Sequence, residues 1–183
     1  MTPRDRDPAT DQGDAHSRGA DRLAQVELRL QALEDERAVL HTLYAYGHTM
    51  DHGPRAEFVD CFTEMAVWRS EKTGRHGLPP RQWTGRGAIA RLWDRHTHAP
   101  ELHHKHLLSE PRLTFAGDEC RAVSYYVRID EHQDGPFIRA FGRYCDLLVR
   151  CEDGRWRLAE RINESEGATL EKGAELLTTG DSD

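Results

Sequence analysis

Residues 40–54 read LHTLYAYGHTMDHGP. Leu40, Leu43, Tyr44 and Met50 continue an apolar helical stripe, and Gly53-Pro54 closes it, because proline disfavours helical geometry in the residue before it. The stretch therefore predicts the end of a long helix that delivers one carboxylate, Asp51, to the mouth of a cavity, with Tyr46 upstream of it. Working back, Leu23, Val26, Leu30, Leu33 and Leu40 fall at three- and four-residue steps, with a charge, Arg37, at the expected position between the last two. Glu27, Arg29, Glu34, Asp35, Glu36 and Arg37 face solvent. Asp21 is the candidate N-cap, so the helix is expected over about 22–52. That is longer than one small domain needs. Its first turns are expected to pack either on a partner subunit, as a short coiled segment, or along their own domain.

Working forward, residues 55–63 predict a short amphipathic helix through Phe58, Val59 and Phe62. Residues 66–70 read as a strand, and 71–82, with Gly77 and the Pro79-Pro80 pair, as a loop. Trp83-Thr84-Gly85 leads into a helix over 87–97 with Ile89, Leu92 and Trp93 inward. Four strands follow, at 103–115, 120–130, 137–151 and 155–165. Val123, Tyr125, Val127 and Ile129 alternate on one face of the second. Turns of the Asp-Gly kind between consecutive strands imply an antiparallel meander. Helices first and strands last make the class α+β, a curved sheet wrapped over the long helix with a concave face between them.

The 183 residues suit one domain, 22–168, between tails. Residues 1–21 are rich in Asp, Arg, Gly and Pro and are expected to be disordered. Residues 169–183 are expected to form a flexible tail, with a short loose helix around Leu170, Leu176 and Leu177. The net charge of −7 and the absence of any Lys/Arg block argue against nucleic acid as a partner. No apolar run approaches the roughly 18 residues of a membrane span. Residues 1–8 lack the apolar core of a secretory signal. Cys61, Cys120, Cys145 and Cys151 form no CxxC pair and read as buried reduced thiols. A cytoplasmic location is the expectation.

The order of these pieces resembles the SnoaL-like branch of the NTF2-like superfamily of cone-shaped α+β barrels. The residues that carry the resemblance are ALEDERAVL at 32–40 running into YAYGHTMD at 44–51, then FTEMAVW at 62–68 and GRGAI at 85–89. After these come HLLSEP at 106–111, FAGD at 115–118 and GRWRLAER at 154–161. Within the superfamily the arrangement looks most like scytalone dehydratase, bile-acid 7α-dehydratase and hexachlorocyclohexane dehydrochlorinase. These pair an Asp at the end of the first long helix with a His on a cavity strand. The resemblance assigns those places to Asp51 and His106. It puts a cavity aromatic at Trp68, a polar group at Tyr46 and an arginine near the end of the last strand at Arg161. Glu110 departs from the pattern, standing where a neutral residue is commoner.

An Asp–His pair suits elimination, since the carboxylate fixes the imidazole's tautomer and stabilises the imidazolium that forms. Tyr46 is expected to donate to a departing hydroxyl or an enolate oxygen, and Arg161 to stabilise developing negative charge. Nothing in the scheme needs a cofactor. Each residue has a plainer reading: Asp51 as a helix end, His106 as a strand histidine, Tyr46 as a buried hydroxyl, Trp68 as core and Arg161 in a salt bridge with Glu160 or another acid. His96, His98, His103, His104 and His106 raise a metal question, with His104 and His106 on one strand face; the resembled families need no metal for the matched pair.

The expected function is a cofactor-independent lyase or isomerase, of dehydratase or cyclase type, acting on a small cyclic, largely apolar molecule. Tyr125, Tyr126, Phe141 and Tyr144 are the expected aromatic residues of the cavity strands. The alternative is a non-catalytic ligand-binding or partner module of the same fold, as in the small subunits of ring-hydroxylating dioxygenases. A homodimer or homotrimer is expected in either case.

Overall fold

The computed structural model describes residues 8–169, with side chains from Arg18 onward. The C-terminal segment, including the helix expected around Leu170, Leu176 and Leu177, lies outside the described residues, as do residues 1–7. Helix α1 spans Pro8–Asp51, α2 Arg55–Asp60 and α3 Arg86–Asp94. Strands β1 Phe62–His76, β2 Arg81–Thr84, β3 His104–Ala116, β4 Glu119–Asp130, β5 Phe137–Arg150 and β6 Trp156–Ala168 form one six-stranded sheet in the order β2-β1-β6-β5-β4-β3.

The α+β class and the meander β3–β6 are as expected, every pair in it being antiparallel. The sheet is mixed, because β1 runs parallel to β6. Two boundaries differ. Helix α1 starts at Pro8, so residues 8–21 are helical where disorder was expected; proline suits the first helical turn, and adding residues to a formed helix costs far less than nucleating one. The segment expected as a loop, 71–82, holds the second half of β1 and the start of β2, with Trp68 opposite Trp83 and Ser70 opposite Arg81. The pairing partner supplies what the local sequence lacks.

The chain divides into two compact units at Arg37/Ala38. In the first, Leu23, Val26, Leu30 and Leu33 are each more than half exposed among the described residues. In the second, Val39, Leu43, Tyr46 and Met50 of α1 enter one core with Phe58, Phe62, Ile89, Leu148, Trp156 and Leu158. Tyr44, read as part of that stripe, is exposed.

The inward face of β4 is Cys120, Ala122, Ser124 and Tyr126, whereas Val123 and Tyr125 are exposed. The alternation expected there was correct in period and pointed to the solvent side. Phe141 is exposed on β5 for the same reason, so Tyr125 and Phe141 leave the list of cavity residues, while Tyr126 and Tyr144 are buried. Among the cysteines, Cys61 and Cys120 are buried, and Cys145 and Cys151 are only half-buried. No described helix is long and apolar enough to cross a membrane.

Candidate active site

Asp51 is the last residue of α1 and is buried. β3 runs past it in the register that places His104 and His106 inward and Lys105 outward. Gly47, one turn before Asp51, makes the approach possible: a Cβ there would stand 2.7 Å from the His106 carbonyl oxygen. The helix and strand backbones therefore meet closely enough for His106 to reach Asp51 twice. Its backbone N–H donates to Asp51 Oδ2 at 2.9 Å, and its ring Nδ1–H donates to Oδ1 at 2.6 Å. A carboxylate only accepts, so the bond sets the tautomer and leaves Nε2 to take a proton.

Burial alone would raise the Asp51 carboxyl, but the ring and backbone hydrogen bonds from His106 outweigh it and hold the group below the ordinary carboxylate range. Burial also lowers the His106 imidazole, with Asp51 opposing it only in part. Both shifts favour the same state, an ionised Asp51 and a neutral His106. His104 Nε2 lies 3.3 Å from Asp51 Oδ1 but out of line for a hydrogen bond, and neither of its ring nitrogens has a partner among the described residues. Burial first, then the nearby His106 and Arg128, push its pKa down to about 4. Asp51, His104 and His106 each offer a ligand atom, all within 4.8 Å of one another, a spacing on which a metal ion could also draw.

His106 also lines a cavity of about 200 Å³ within the second unit. The sheet register builds one wall as two rows. His106, Arg128, Ala140 and Ala168 stand side by side across β3–β6; Tyr144, Asn163, Ser70 and Arg81 continue across β5, β6, β1 and β2. Aromatic side chains fill much of the rest. Trp68 and Trp83 meet edge to face with centroids 5.2 Å apart, and Tyr126 stacks on Tyr144 at 4.5 Å. Tyr46 Oη accepts from Trp68 Nε1–H at 3.2 Å, so its own proton is left to donate. Burial raises the Tyr46 hydroxyl above its ordinary value, against the opposing pull of Arg161, and keeps it protonated.

Tyr46, Trp68, His106, Tyr126 and Tyr144 thus line this cavity, and Asp51 lines a second one together with Tyr46 and His106. Arg161 is different. It is fully buried, is not among the cavity's lining residues and forms a two-bond ion pair with Asp146, at 2.8 and 2.7 Å, rather than with Glu160. Its guanidinium sits over Tyr46 at 4.0 Å and Tyr144 at 4.1 Å. It is a positioning residue for those rings, because a cation–π contact fixes the ring's place without touching the cavity. Glu110 is exposed, at φ 52° in the β3 bulge between Ser109 and Arg112, so the departure it represents does not reach the site.

Sequence reasoning missed the arginines. Arg128 donates twice to Asp130, at 2.6 and 3.0 Å, and once to His96 Nε2 at 3.0 Å, while His96 Nδ1–H donates to Leu92 O. Burial and the Arg128 charge drive His96 well below its ordinary pKa, so it is neutral. The alternation of β4 could have placed Arg128 beside Tyr126; no local signal places Arg139.

A long N-terminal helix followed by a curved sheet, with an aromatic-walled cavity beside a carboxylate–imidazole pair, is the architecture of an NTF2-like cone. The chain belongs to the SnoaL-like domain family, whose sequence profile matches residues 31–162. An NTF2-like protein with a cystatin-like fold from Novosphingobium aromaticivorans is similar at 24% identity, over 85% of this chain and 96% of that one, with TM-score 0.69. ActVI-ORFA of Streptomyces coelicolor is similar at 24% identity over 72% and 96%, with TM-score 0.59. A Catenulispora acidiphila protein in complex with S-DNPA is similar at 27% identity over 74% and 94%, with TM-score 0.59. No curated protein matches the chain in sequence.

Proposed function

We propose that the protein is a cofactor-independent lyase or isomerase that eliminates water from, or moves a double bond within, a small cyclic and largely apolar molecule. The observation that carries this is the 2.6 Å contact between Asp51 and a His106 that also lines an aromatic cavity. His106 Nε2 takes a proton from carbon, the C–H electrons form the new double bond, and the departing hydroxyl leaves as water with a proton from Tyr46. The imidazolium then returns its proton through solvent to the Tyr46 phenolate. Asp51 stabilises the imidazolium while it exists. The ligand-bound Catenulispora neighbour supports a small-molecule role for this fold.

The test is a panel of hydroxylated cyclic ketones, followed by the ultraviolet absorbance of the conjugated product. His106→Ala should lower turnover by about 10² to 10⁴ while leaving ligand binding in place. Full activity in that variant ends the acid–base reading. Absence of turnover across the panel, with a partner protein captured at stoichiometric ratio, would favour the non-catalytic module instead.

A further inference from the structure

Residues 22–37 of α1 carry a seven-residue repeat. With Leu23 at position a of the heptad, Val26 falls at d, Leu30 at the next a and Leu33 at the next d. Alternating steps of three and four keep one apolar stripe turned toward a second helix. All four side chains are exposed, at 53% to 64%. Gln31 and Asp35 lie at b and f, away from the stripe, and bond to each other, Gln31 Nε2–H donating to Asp35 Oδ1 at 3.1 Å. Leu28, also at f, is exposed off the stripe. Arg37 takes the next a position and ends the seam after two heptads. The helix beneath the seam is already formed, so a chain docking on it meets no nucleation cost.

The charges beside the stripe select what covers it. Position g holds Arg22 and Arg29, position e holds Glu27 and Glu34, and all four are exposed. In a parallel pair of helices, g of one chain faces e of the following heptad on the other, five residues on. Two copies in register therefore set Arg22 against Glu27 of the second copy and Arg29 against Glu34 of the second copy, each twice by symmetry. Within one chain these side chains do not meet, since neighbours on a helix surface stand three or four residues apart. An antiparallel pair sets g against g and e against e, which is arginine against arginine and glutamate against glutamate. The same four charges thus favour an identical chain as the partner and a parallel orientation.

We propose that residues 22–37 form a parallel, in-register, two-stranded coiled coil with a second copy of this chain, its orientation set by the Arg22–Glu27 and Arg29–Glu34 pairs. The inference concerns the first unit alone and stands independently of the acid–base reading.

Two experiments on the full-length protein test it. In the first, Leu30→Cys and Leu28→Cys are mildly oxidised and compared on a non-reducing gel with the wild type, which reports the background of the native cysteines. Position a meets itself across a parallel, in-register seam, within disulfide reach. Leu30→Cys is expected to give a linked dimer several-fold above both the wild type and Leu28→Cys. In the second, sedimentation reads the charge pairs. Arg29→Glu alone and Glu34→Arg alone each turn two attractive contacts into repulsive ones and should weaken self-association about 10-fold. Mixed in equal amounts, the two variants regain both contacts in a mixed dimer, which should associate about as tightly as the wild type. A monomeric wild type, a Leu30→Cys chain that links no more than Leu28→Cys, or single swaps that associate as the wild type does overturns the proposal. If circular dichroism shows that a swap has lost helix, the cysteine comparison decides.

Discussion

Asp51 is held by two donors from one residue, the backbone N–H and the ring Nδ1–H of His106. Asp51→Asn keeps the size of the side chain and removes its charge. It also presents an amide that can hold the ring in the wrong tautomer. We expect circular dichroism to report an intact fold and turnover to fall by about 10² or more; an unfolded variant would make Asp51 a structural residue. The protonation states make a second prediction. Burial lowers His106, and only its neutral form can take a proton. kcat/KM should therefore rise with pH through a value below about 6.5 and stay level above it; a rise centred higher counts against His106 as the base. His104 carries the same sign into stability. With its pKa near 4 in the folded chain and about 6.5 unfolded, the unfolded state binds more protons between those values. Its contribution is complete above the upper value and is lost as pH falls toward the lower one. Melting temperature measured across that range should drop with acid, and drop less in His104→Gln.

At the scale of elements, the site depends on how closely α1 and β3 approach. Gly47 has no side chain at the one place where His106's backbone oxygen would meet a Cβ at 2.7 Å. In Gly47→Ala the strand or helix backbone itself must shift, because the atom met is a main-chain oxygen. Reacting groups tolerate such displacement poorly, so turnover should fall on the order of 10-fold while the chain stays folded. Unchanged kinetics would show that the pair survives the shift. Strands β5 and β6 are tied by Asp146 and Arg161, which are directly opposite in the register and both fully buried as side chains. Asp146→Asn removes one partner and leaves a buried guanidinium without its counter-charge. The expected loss is about 3–5 kcal/mol in urea unfolding. Loss of stability with an unchanged KM would fit Arg161's place behind Tyr46 and Tyr144 rather than against the ligand.

At the scale of the whole molecule, the first unit poses the question of assembly. Leu23, Val26, Leu30 and Leu33 recur at alternating three- and four-residue steps, the spacing of a two-helix seam, and Leu30 and Leu33 are 54% and 64% exposed. A second copy of the same helix is the occupant this seam suits. Sedimentation equilibrium should find an oligomer for the wild type and a smaller species for Leu30→Glu/Leu33→Glu. A wild-type monomer would refute the pairing, as would an oligomer that both substitutions leave intact.

The class of fold was legible in residues 40–54 and in the turn-separated strands, because helix end signals and two-residue alternation are local physics. The Asp51–His106 pair was legible only through the resemblance of motif order, since nothing local relates two residues 55 positions apart. What the sequence could not determine were the features that depend on a partner strand or on which side of the sheet is covered. Val123 and Tyr125 alternate as a buried face would, yet the helix packs on the other side. Arg161 reads equally as a ligand contact or an ion pair until its neighbour Asp146 is known. The β5 bulge at Arg139, the extra residue where β4 pairs Arg128 with Ala140 and Ile129 with Ile138, is a mismatch between two strands and has no signature in either alone. Tertiary structure decided these because each is set by contacts between segments distant in the chain, whose free energies no local pattern encodes.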